Sequence, residues 1–378
     1  MAGKKGSKAK KGLKRFLIII CVIILLISSV FTYGMFKLKS LGDSIEVTED
    51  TFVYDFDEDE TVPEKLVDDL EFDSIFEGTS DGFKASIKDW VTNGGDIMYS
   101  DDVLNFLCIG VDTRNKNTIS GLTDSMIIMS INKKLGTITL TSVMRDCYAY
   151  LESPEGYGSF NKINSAFPFY GIESLIDTMQ KHFKIRIDGY AMINFSFFKA
   201  VINKLGGVTV DVQQYEADYL NKGYGFTLSA GQQTLNGDEA LAFCRSRKCD
   251  SDGDVSRTRR QRQVIVALLK KAREIQTSEI TDYIALFFPY VKTNYSETQL
   301  ISLATQAVVG GWASFSVTQI TMPDEASRYG YSGSTWFWAV DYPLAAQTLQ
   351  KTIYGESNIV LAENRVSSID LLLGKGVG

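Results

Sequence analysis

Histidine is almost absent from this chain of 378 residues, which contains only His182. A Ser-His-Asp triad depends on a histidine base, and many zinc sites use two or three histidine ligands. His182 lies in the amphipathic stretch 172–183, which predicts a helix with this side chain at the surface or boundary. The composition therefore argues against triad hydrolases and against zinc sites built from several histidines.

Cysteines are also few, and none of them forms a C-x-x-C motif. Cys21 falls in a long apolar segment, whereas Cys108, Cys147, Cys244 and Cys249 are scattered along the rest of the chain. The spacing excludes a standard redox or zinc motif. Cys244 and Cys249 could form a short disulfide in an oxidising compartment, or all of these residues could be free buried thiols.

Positive charge is scarce outside the first 15 residues. The whole chain has 39 Lys/Arg against 46 Asp/Glu, and the first 15 residues hold seven basic residues and no acidic one. The remainder therefore has 32 Lys/Arg against 46 Asp/Glu. Such an acidic body is a poor non-specific binder of nucleic acid, so no nucleic-acid partner is expected.

A long apolar run follows the basic residues. Residues 16–36 contain no charge, and a helix of that length measures roughly 31 Å, enough to cross a bilayer. No small-x-small cleavage site follows, so we predict an uncleaved single-pass anchor in the plasma membrane. The basic tail, residues 1–15, should stay cytoplasmic, which places the C-terminal part outside the cell.

The part of the chain after the anchor divides into two regions. Residues 37–102 are acidic and irregular, which is typical of a solvated spacer or accessory region. From residue 103 onward, apolar runs of strand length alternate with helical patterns, and we predict a single catalytic domain over 103–378. We expect an α/β fold, specifically a three-layer α/β/α sandwich with a central mixed, largely antiparallel sheet. The predicted strands that open this domain are 103–111, 125–131 and 136–143.

Charged residues stand at the ends of these three strands. Asp112 follows the first, Asp124 precedes the second, and Arg145 follows the third. In an up-down-up meander these positions share one edge of the sheet. Paired carboxylates there would suit Mg²⁺, with Mn²⁺ as the other candidate, because both ions prefer oxygen ligands. The alternative is that both aspartates are ordinary turn residues.

The segment 244–263 concentrates basic residues within the acidic body. Arg245 and Arg247 are two positions apart and cannot share a helical face, so the chain should leave a helix between them. A further helix is predicted after Ser256. On it, Arg257 and Gln261 fall on the same stripe as apolar Val264, near the helix N-terminus.

A core-facing arginine needs a partner, because burying it unpaired costs several kcal/mol. An anion at the positive end of the helix dipole would satisfy Arg257, and the guanidinium fork matches phosphate oxygens. An internal salt bridge to Asp250, Asp252 or Asp254 would satisfy it equally well. Arg259 and Arg262 fall on the opposite side, where we expect solvated charges.

The order and spacing of several segments resemble the LytR-CpsA-Psr family of wall-polymer ligases. No single segment is diagnostic, but together they span about residues 103–269. The segments are LNFLCIGVDTR (104–114), TDSMIIMSIN (123–132), TITLTSVMRD (137–146), NKINSAF (161–167), INFSFFKAVINKLGGVTVDV (193–212), LNGDEALAFCRSR (235–247) and GDVSRTRRQRQVI (253–265).

The resemblance implies a Mg²⁺-dependent phosphotransferase. Such enzymes move a glycopolymer, such as teichoic acid or capsule, from a polyprenyl (undecaprenyl) pyrophosphate carrier to peptidoglycan. By motif, the metal ligands would be Asp112 and Asp124, and Asp254 the candidate base. The pyrophosphate-binding residues would be Arg145, Arg245, Arg247, Arg257 and Gln261, with Lys162 in the family's lysine-containing segment.

One position departs from the family pattern. Where the family usually reads Gly-Arg-Ser-Asp, this chain has Leu122 in place of the arginine, which puts the full set of phosphate contacts in doubt. A lipid pyrophosphatase that uses water at the same site is one alternative function. A non-catalytic binder of lipid-linked glycan that regulates envelope synthesis is another. A transcription factor is disfavoured, because the cytoplasmic tail is too short to fold.

Overall fold

A computed structural model describes residues 81–111, 123–251, 253–272, 291–296, 299, 306, 310–332 and 335–375. These residues form a mixed α/β fold with a central mixed sheet. They belong to two compact units: unit 1 contains the described residues within Cys108–Gly110 and Gly189–Val317, and unit 2 contains those within 81–107, Val111–Asp188 and 318–375. The three-layer arrangement remains a prediction.

The strands of the described residues pair into several sheets. In unit 2 the strand order is β10, β3, β2 and β1. In unit 1 the strand order is Cys108–Gly110, which is part of β1, then β6 and β9. Three two-stranded hairpins pair β4 with β5, β7 with β8, and β11 with β12. The strands are β1 Val103–Val111, β2 Thr123–Asn132, β3 Thr137–Val143, β4 Tyr148–Glu152, β5 Gly158–Lys162, β6 Gly189–Asn194, β7 Val208–Val212, β8 Gly231–Leu235, β9 Lys292–Thr293, β10 Ser316–Met322, β11 Arg328–Ser332 and β12 Trp336–Val340.

Helices connect these strands. They are α1 Asp81–Asn93, α2 Ala166–Phe183, α3 Phe195–Lys204, α4 Gln214–Tyr224, α5 Gly237–Arg245, α6 Asp254–Ala272, α7 Tyr342–Tyr354 and α8 Ser368–Leu372. Short 3₁₀ turns cover Ile163–Ser165 and Trp312–Ser314. No helix among the residues described here is both long and apolar enough to cross a membrane. The predicted anchor, residues 16–36, lies outside the described residues.

The predicted opening strands are confirmed. β1 has the predicted bounds, β2 and β3 differ from prediction by one or two residues, and β2 lies between β1 and β3. The predicted antiparallel hairpin is present, with Ile127 opposite Ser142 and Asn132 opposite Thr137. The start of β2 and the end of β3 therefore share one edge of the sheet, as the meander predicts.

Helix α1 lies inside the region that was predicted as a spacer. Its buried residues Phe83, Ile87 and Val91 are spaced four apart, so they form one apolar face. That face packs against β4 and α8 within unit 2. The folded part of unit 2 thus includes residues that precede position 103.

His182 is buried, which corrects the prediction of a surface or boundary position. Its side chain has 0% exposure. Nε2 accepts a hydrogen bond from the backbone N–H of Tyr150 at 3.2 Å, so Nδ1 carries the proton and donates to the carbonyl of Thr178 at 2.8 Å. Because both ring nitrogens have backbone partners, the neutral imidazole serves as a core residue that joins α2 to β4.

Candidate functional site

Unit 2 contains a small charged group that we call the Asp146 cluster: Arg145, Asp146 and Lys162. Asp146 Oδ1 accepts a hydrogen bond from Lys162 Nζ at 2.7 Å, and Asp146 Oδ2 lies 3.4 Å from Arg145 Nε. The three side chains are only partly exposed, at 18% for arginine, 13% for aspartate and 26% for lysine. Two predicted phosphate-binding residues are therefore held side by side by one carboxylate.

The backbone fixes this cluster at the strand ends. Arg145 comes two residues after β3 ends, and Lys162 is the last residue of β5. The N–H of Asn164 donates to the carbonyl of Arg145 at 3.3 Å, and Thr123 Oγ1 donates to the carbonyl of Asn164 at 3.3 Å. The first residue of β2 is thereby tied to the turn that follows Lys162.

The predicted metal ligands are described only in part. Asp112 lies outside the described residues, and Asp124 lies in β2 but its side chain is also outside them. Leu122, the departure from the family pattern, is outside them as well. In the portion of the chain that the structure covers, no three His, Cys, Asp or Glu side chains are grouped as metal ligands. The magnesium site stays a prediction.

Unit 1 contains a second group, the Asp254 cluster: Arg247, Asp254 and Arg257. Asp254 opens α6, and Arg257 one turn later contacts its Oδ1 through Nη2 at 2.7 Å. Arg247 Nε lies 4.0 Å from the same oxygen. The side chain of Arg257 is only 3% exposed, so the predicted inward orientation is confirmed. Of the two partners considered for it, the structure supplies an internal salt bridge, to Asp254.

The chain leaves helix α5 between Arg245 and Arg247, as predicted. Helix α5 ends at Arg245, and Ser246 takes an extended conformation with φ −61° and ψ 129°. Arg245 is exposed, and its guanidinium carbon lies 4.7 Å from the ring centroid of Phe195, a cation–π contact within unit 1. Arg247, beyond the helix end, turns towards Asp254. Arg245 and Arg247 are two positions apart in the motif, but their side chains contact different residues in the structure.

A buried ion network supports the loop between α5 and α6. Arg260 is fully buried, and its guanidinium donates to Glu216 Oε1 at 3.1 Å, to Asp250 Oδ2 at 3.0 Å and to the carbonyl of Ser246 at 2.6 Å. Burial opposes ionisation of Asp250, but hydrogen bonds from Arg260 and Ser256 hold its pKa below the usual range. The network fixes both ends of the segment that contains Arg247.

The outer arginines of α6 differ from prediction. Arg259 is half-exposed but pairs with Glu216 Oε1 at 2.8 Å. Arg262 is 7% exposed, and burial lowers its pKa to about 10. The expectation that both are solvated charges is wrong, because α6 is covered on more than its apolar stripe. Gln261 is half-buried on the helix.

Sequence reasoning assigned no role to Asp146 or Glu216, the two carboxylates that organise these clusters. Asp146 had a usable signal, since it directly follows Arg145 in the VMRD sequence. Glu216 had none that points to arginine pairing, because it lies 44 residues before Arg260. Cys244 and Cys249 are free thiols, as are Cys108 and Cys147. Burial raises the pKa of Cys244 to about 12, which makes it unreactive.

Comparison with known proteins gives these clusters a family context. The protein-family model described as the LytR_cpsA_psr family matches residues 77–353. The polyisoprenyl-teichoic acid–peptidoglycan teichoic acid transferase TagU of Bacillus licheniformis is 36% identical over 194 residues, covering 51% of this chain and 60% of that protein. The matched region thus spans about three-fifths of this curated relative.

Solved structures share the fold. TagV of B. subtilis is 26% identical, with a TM-score of 0.53 and coverage of 68% of this chain and 99% of that chain. The LytR-CPS2A-psr family protein YwtF (TagT) with bound octaprenyl pyrophosphate lipid is 22% identical, with a TM-score of 0.52 and coverage of 68% and 93%. At that identity the second likeness concerns the fold alone. Because the family model covers well over half of the sequence, including both clusters, this chain belongs to the LytR_cpsA_psr family.

Proposed function

We propose that this protein is a membrane-anchored phosphotransferase that moves a glycopolymer from an undecaprenyl pyrophosphate carrier to peptidoglycan. The observation that carries the proposal is the family match over residues 77–353. The named activity of the TagU relative and the lipid bound to TagT support the same reaction. Teichoic acid, capsule or a similar wall polymer would be the transferred group.

In this mechanism the basic side chains bind and orient the pyrophosphate. The family motif assigns this role to Arg145, Lys162, Arg247 and Arg257. Guanidinium groups neutralise charge that develops on the leaving lipid phosphate, and carboxylate pairing holds them in place without reorganisation. Arg245 and Gln261 complete the proposed set by motif.

The acceptor hydroxyl of peptidoglycan attacks the phosphorus that is bonded to the glycan. The new phosphorus–oxygen bond forms as the bond to the lipid phosphate breaks, and the lipid phosphate leaves. We assign Asp254 as the group that receives the hydroxyl proton. Since phosphoryl transfer depends mainly on position and electrostatics, the main role of Asp254 is to orient Arg257.

Asp112 and Asp124 would hold a divalent cation, Mg²⁺ or Mn²⁺, which supplies positive charge to phosphate oxygens. Chelation by EDTA should stop transfer, and added Mg²⁺ should restore it. An Asp124→Asn protein should need more Mg²⁺ for half-maximal rate than the natural chain. Transfer that is unchanged in excess EDTA would remove the metal from the proposal.

The central experiment measures transfer from a lipid pyrophosphate donor to peptidoglycan with arginine variants. Arg257→Ala and Arg145→Ala should each lower the rate by roughly 100-fold or more, because they remove transition-state charge stabilisation. Lys248→Ala is the matched control for the first, since Lys248 is exposed in the same loop as Arg247, and Lys134→Ala serves for the second. Full activity in both arginine variants, with folding unchanged, contradicts the assigned roles.

The same assay distinguishes the alternatives. A lipid pyrophosphatase would release lipid phosphate equally with and without peptidoglycan, whereas a transferase would attach the labelled glycopolymer to peptidoglycan. A glycan binder that regulates envelope synthesis would bind the donor in the presence of Mg²⁺ and release nothing. We place the protein in the plasma membrane, with residues 1–15 cytoplasmic and 16–36 spanning the bilayer. The catalytic domain, residues 103–378 together with helix α1, would then lie outside the cell.

A further inference from the structure

The hairpin of β11 and β12 presents aromatic side chains on a partly exposed face. In its antiparallel register, Gly330 lies opposite Trp338 and Ser332 opposite Trp336. Side chains alternate along strands, so Trp336, Trp338 and Arg328 lie on one face of the hairpin. The two indole rings are 4.9 Å apart between centroids at 77°, and the Arg328 guanidinium carbon lies 5.0 Å from the Trp338 centroid. We call this surface the indole face.

Gly330 lies beneath the two indoles of this face. A Cβ at this position would lie 3.5 Å from one indole and 3.7 Å from the other, so the two rings flank the space above a residue with no side chain. Trp336 remains 41% exposed. The indole of Trp336 is therefore accessible to a ligand on the solvent side of this face.

The opposite face of the hairpin anchors it rigidly in unit 2. Phe337 is 1% exposed and packs against Tyr148, with 4.8 Å between centroids, and against Phe83 at 6.3 Å. Tyr148 itself contacts Phe83 at 5.4 Å. Because one face is fixed in this aromatic core, the indoles on the other face are preorganised, which lowers the entropic cost of binding a ligand.

The hairpin is joined directly to the Asp146 cluster. The N–H of Trp338 donates to the carbonyl of Asp146 at 2.9 Å, and Cys147 and Trp338 form a parallel bridge. Asp146 contacts Arg145 and Lys162 through its carboxylate. The strand that carries both tryptophans is therefore bonded to the residue next to a proposed phosphate-binding arginine.

We propose that the indole face binds the glycan strand of the acceptor, a chain of N-acetylhexosamines. The C–H faces of pyranose rings carry slight positive charge and stack on the negative π face of indole. Ser332, which is exposed, supplies a hydrogen-bonding group for hydroxyl or acetamido groups on the same face. Arg328 donates to the carbonyl of Pro323 and lies over the Trp338 ring, so it holds that indole in place. That the bound glycan strand belongs to peptidoglycan rests on the proposed function. That the ligand is a carbohydrate is inferred from the side chains of the hairpin.

The composition of the face favours a glycan over a protein partner. A stable protein interface needs about 800 Å² per partner with an apolar centre. Here the two indoles lie opposite glycine and serine, with a charged arginine beside them, so the surface is mixed rather than apolar. An open face also suits an internal stretch of a long acceptor strand, while the donor sugar is confined by its bond to pyrophosphate.

The test uses the full-length chain in detergent and chitopentaose, a soluble β-1,4-linked N-acetylglucosamine oligomer, as the probe. Binding is followed by calorimetry and by intrinsic tryptophan fluorescence. Trp336→Ala should weaken binding by roughly tenfold, because it removes an aromatic anchor. Trp336→Tyr should retain most of the affinity. Tyr157→Ala is the matched control, since Tyr157 is 76% exposed on another hairpin of unit 2.

Each outcome decides the proposal. Loss of binding in Trp336→Ala, with Tyr157→Ala and the melting temperature unchanged, supports it. Equal binding in Trp336→Ala overturns it, as does a natural chain that does not bind chitopentaose. In the transfer assay with Trp336→Ala, a raised KM for the lipid donor and an unchanged KM for peptidoglycan would also overturn the proposal. If the natural protein binds chitopentaose but shows no transfer, the proposed function is contradicted, while glycan binding at the indole face remains supported.

Discussion

Arg260 keeps its charge inside the protein, and the surrounding residues show why that is tolerated. Its guanidinium group donates to the carboxylates of Glu216 and Asp250 and to the backbone carbonyl of Ser246. Arg259, one residue earlier, shares the same glutamate but is 37% exposed. The two adjacent arginines of α6 therefore differ in their expected contribution to stability, because Arg260 is buried and Arg259 is partly exposed.

Replacement of Arg260 should reveal this difference. Arg260→Met roughly keeps the volume but removes the partner of the buried Glu216 and the partly exposed Asp250. We therefore expect a loss of about 3–5 kcal/mol in the free energy of unfolding. Arg259→Met should cost about 1 kcal/mol or less, since exposed pairs contribute little. Urea unfolding of both proteins measures the contrast, and equal losses would contradict the structural role assigned to Arg260.

The neutral state of His182 predicts a pH dependence. Burial lowers its pKa to about 3, aided by Lys184 and Lys181 and opposed by the hydrogen bond to Thr178. Since the unfolded value is about 6.5, the unfolded chain binds a proton that the folded chain does not between these limits. The contribution of this group should be constant above about pH 6.5, and stability should fall below it by about 1.4 kcal/mol per pH unit.

This prediction can be checked on one resonance, because the chain has a single histidine. The imidazole C2 proton in the folded protein should show no titration between pH 8 and about pH 4. A midpoint near 6.5 would show that the ring is exposed to solvent, contrary to the fold described for α2 and β4.

Secondary-structure elements place the clusters through their ends. Helix α5 begins at a capping box, in which Asn236 Oδ1 accepts from the N–H groups of Asp238 and Glu239, both at 3.0 Å. Glu239 Oε2 accepts from the N–H of Asn236 at 2.9 Å. Because the cap fixes where α5 starts, it also fixes the position of Arg245 and of the turn towards Arg247.

The cap should contribute measurably to stability. Asn236→Ala removes the side-chain acceptor, and we expect a loss of about 1 kcal/mol in the free energy of unfolding. Asn236→Asp keeps the acceptor and should differ little from the natural protein. Thermal and denaturant unfolding measure both variants, and a harmless alanine would show that α5 is held by packing alone.

At the scale of the whole molecule, charge is divided between a basic N-terminal tail and an acidic body. The tail and the apolar run after it would retain the enzyme beside a lipid-linked donor and leave its clusters on the outer side. This topology is a proposal from hydropathy and the positive-inside rule.

Cell fractionation tests the proposed topology. The full-length chain should sediment with membranes and resist extraction by high salt but not by detergent. A chain that lacks residues 1–36 should appear in the soluble fraction. Added protease should degrade the C-terminal domain in intact cells after wall removal. Recovery of the full-length chain as a soluble protein would contradict the anchor.

The local sequence pattern was sufficient to predict features that depend only on residues close together in the sequence. It located β1, the antiparallel pair of β2 and β3, and the helix end after Arg245, because hydrophobic periodicity acts within a few residues. It also placed Arg257 towards the interior. The family motifs added the expected phosphate-binding residues.

Only the tertiary structure could decide which groups meet over long separations. Three features depend on contacts between distant segments: the pairing of Glu216 with Arg260, the bridge of Asp146 to Lys162 and the burial of His182. Burial then sets whether a charge is solvated, paired or displaced in pKa. Burial is a property of the packed chain and not of any local stretch of sequence.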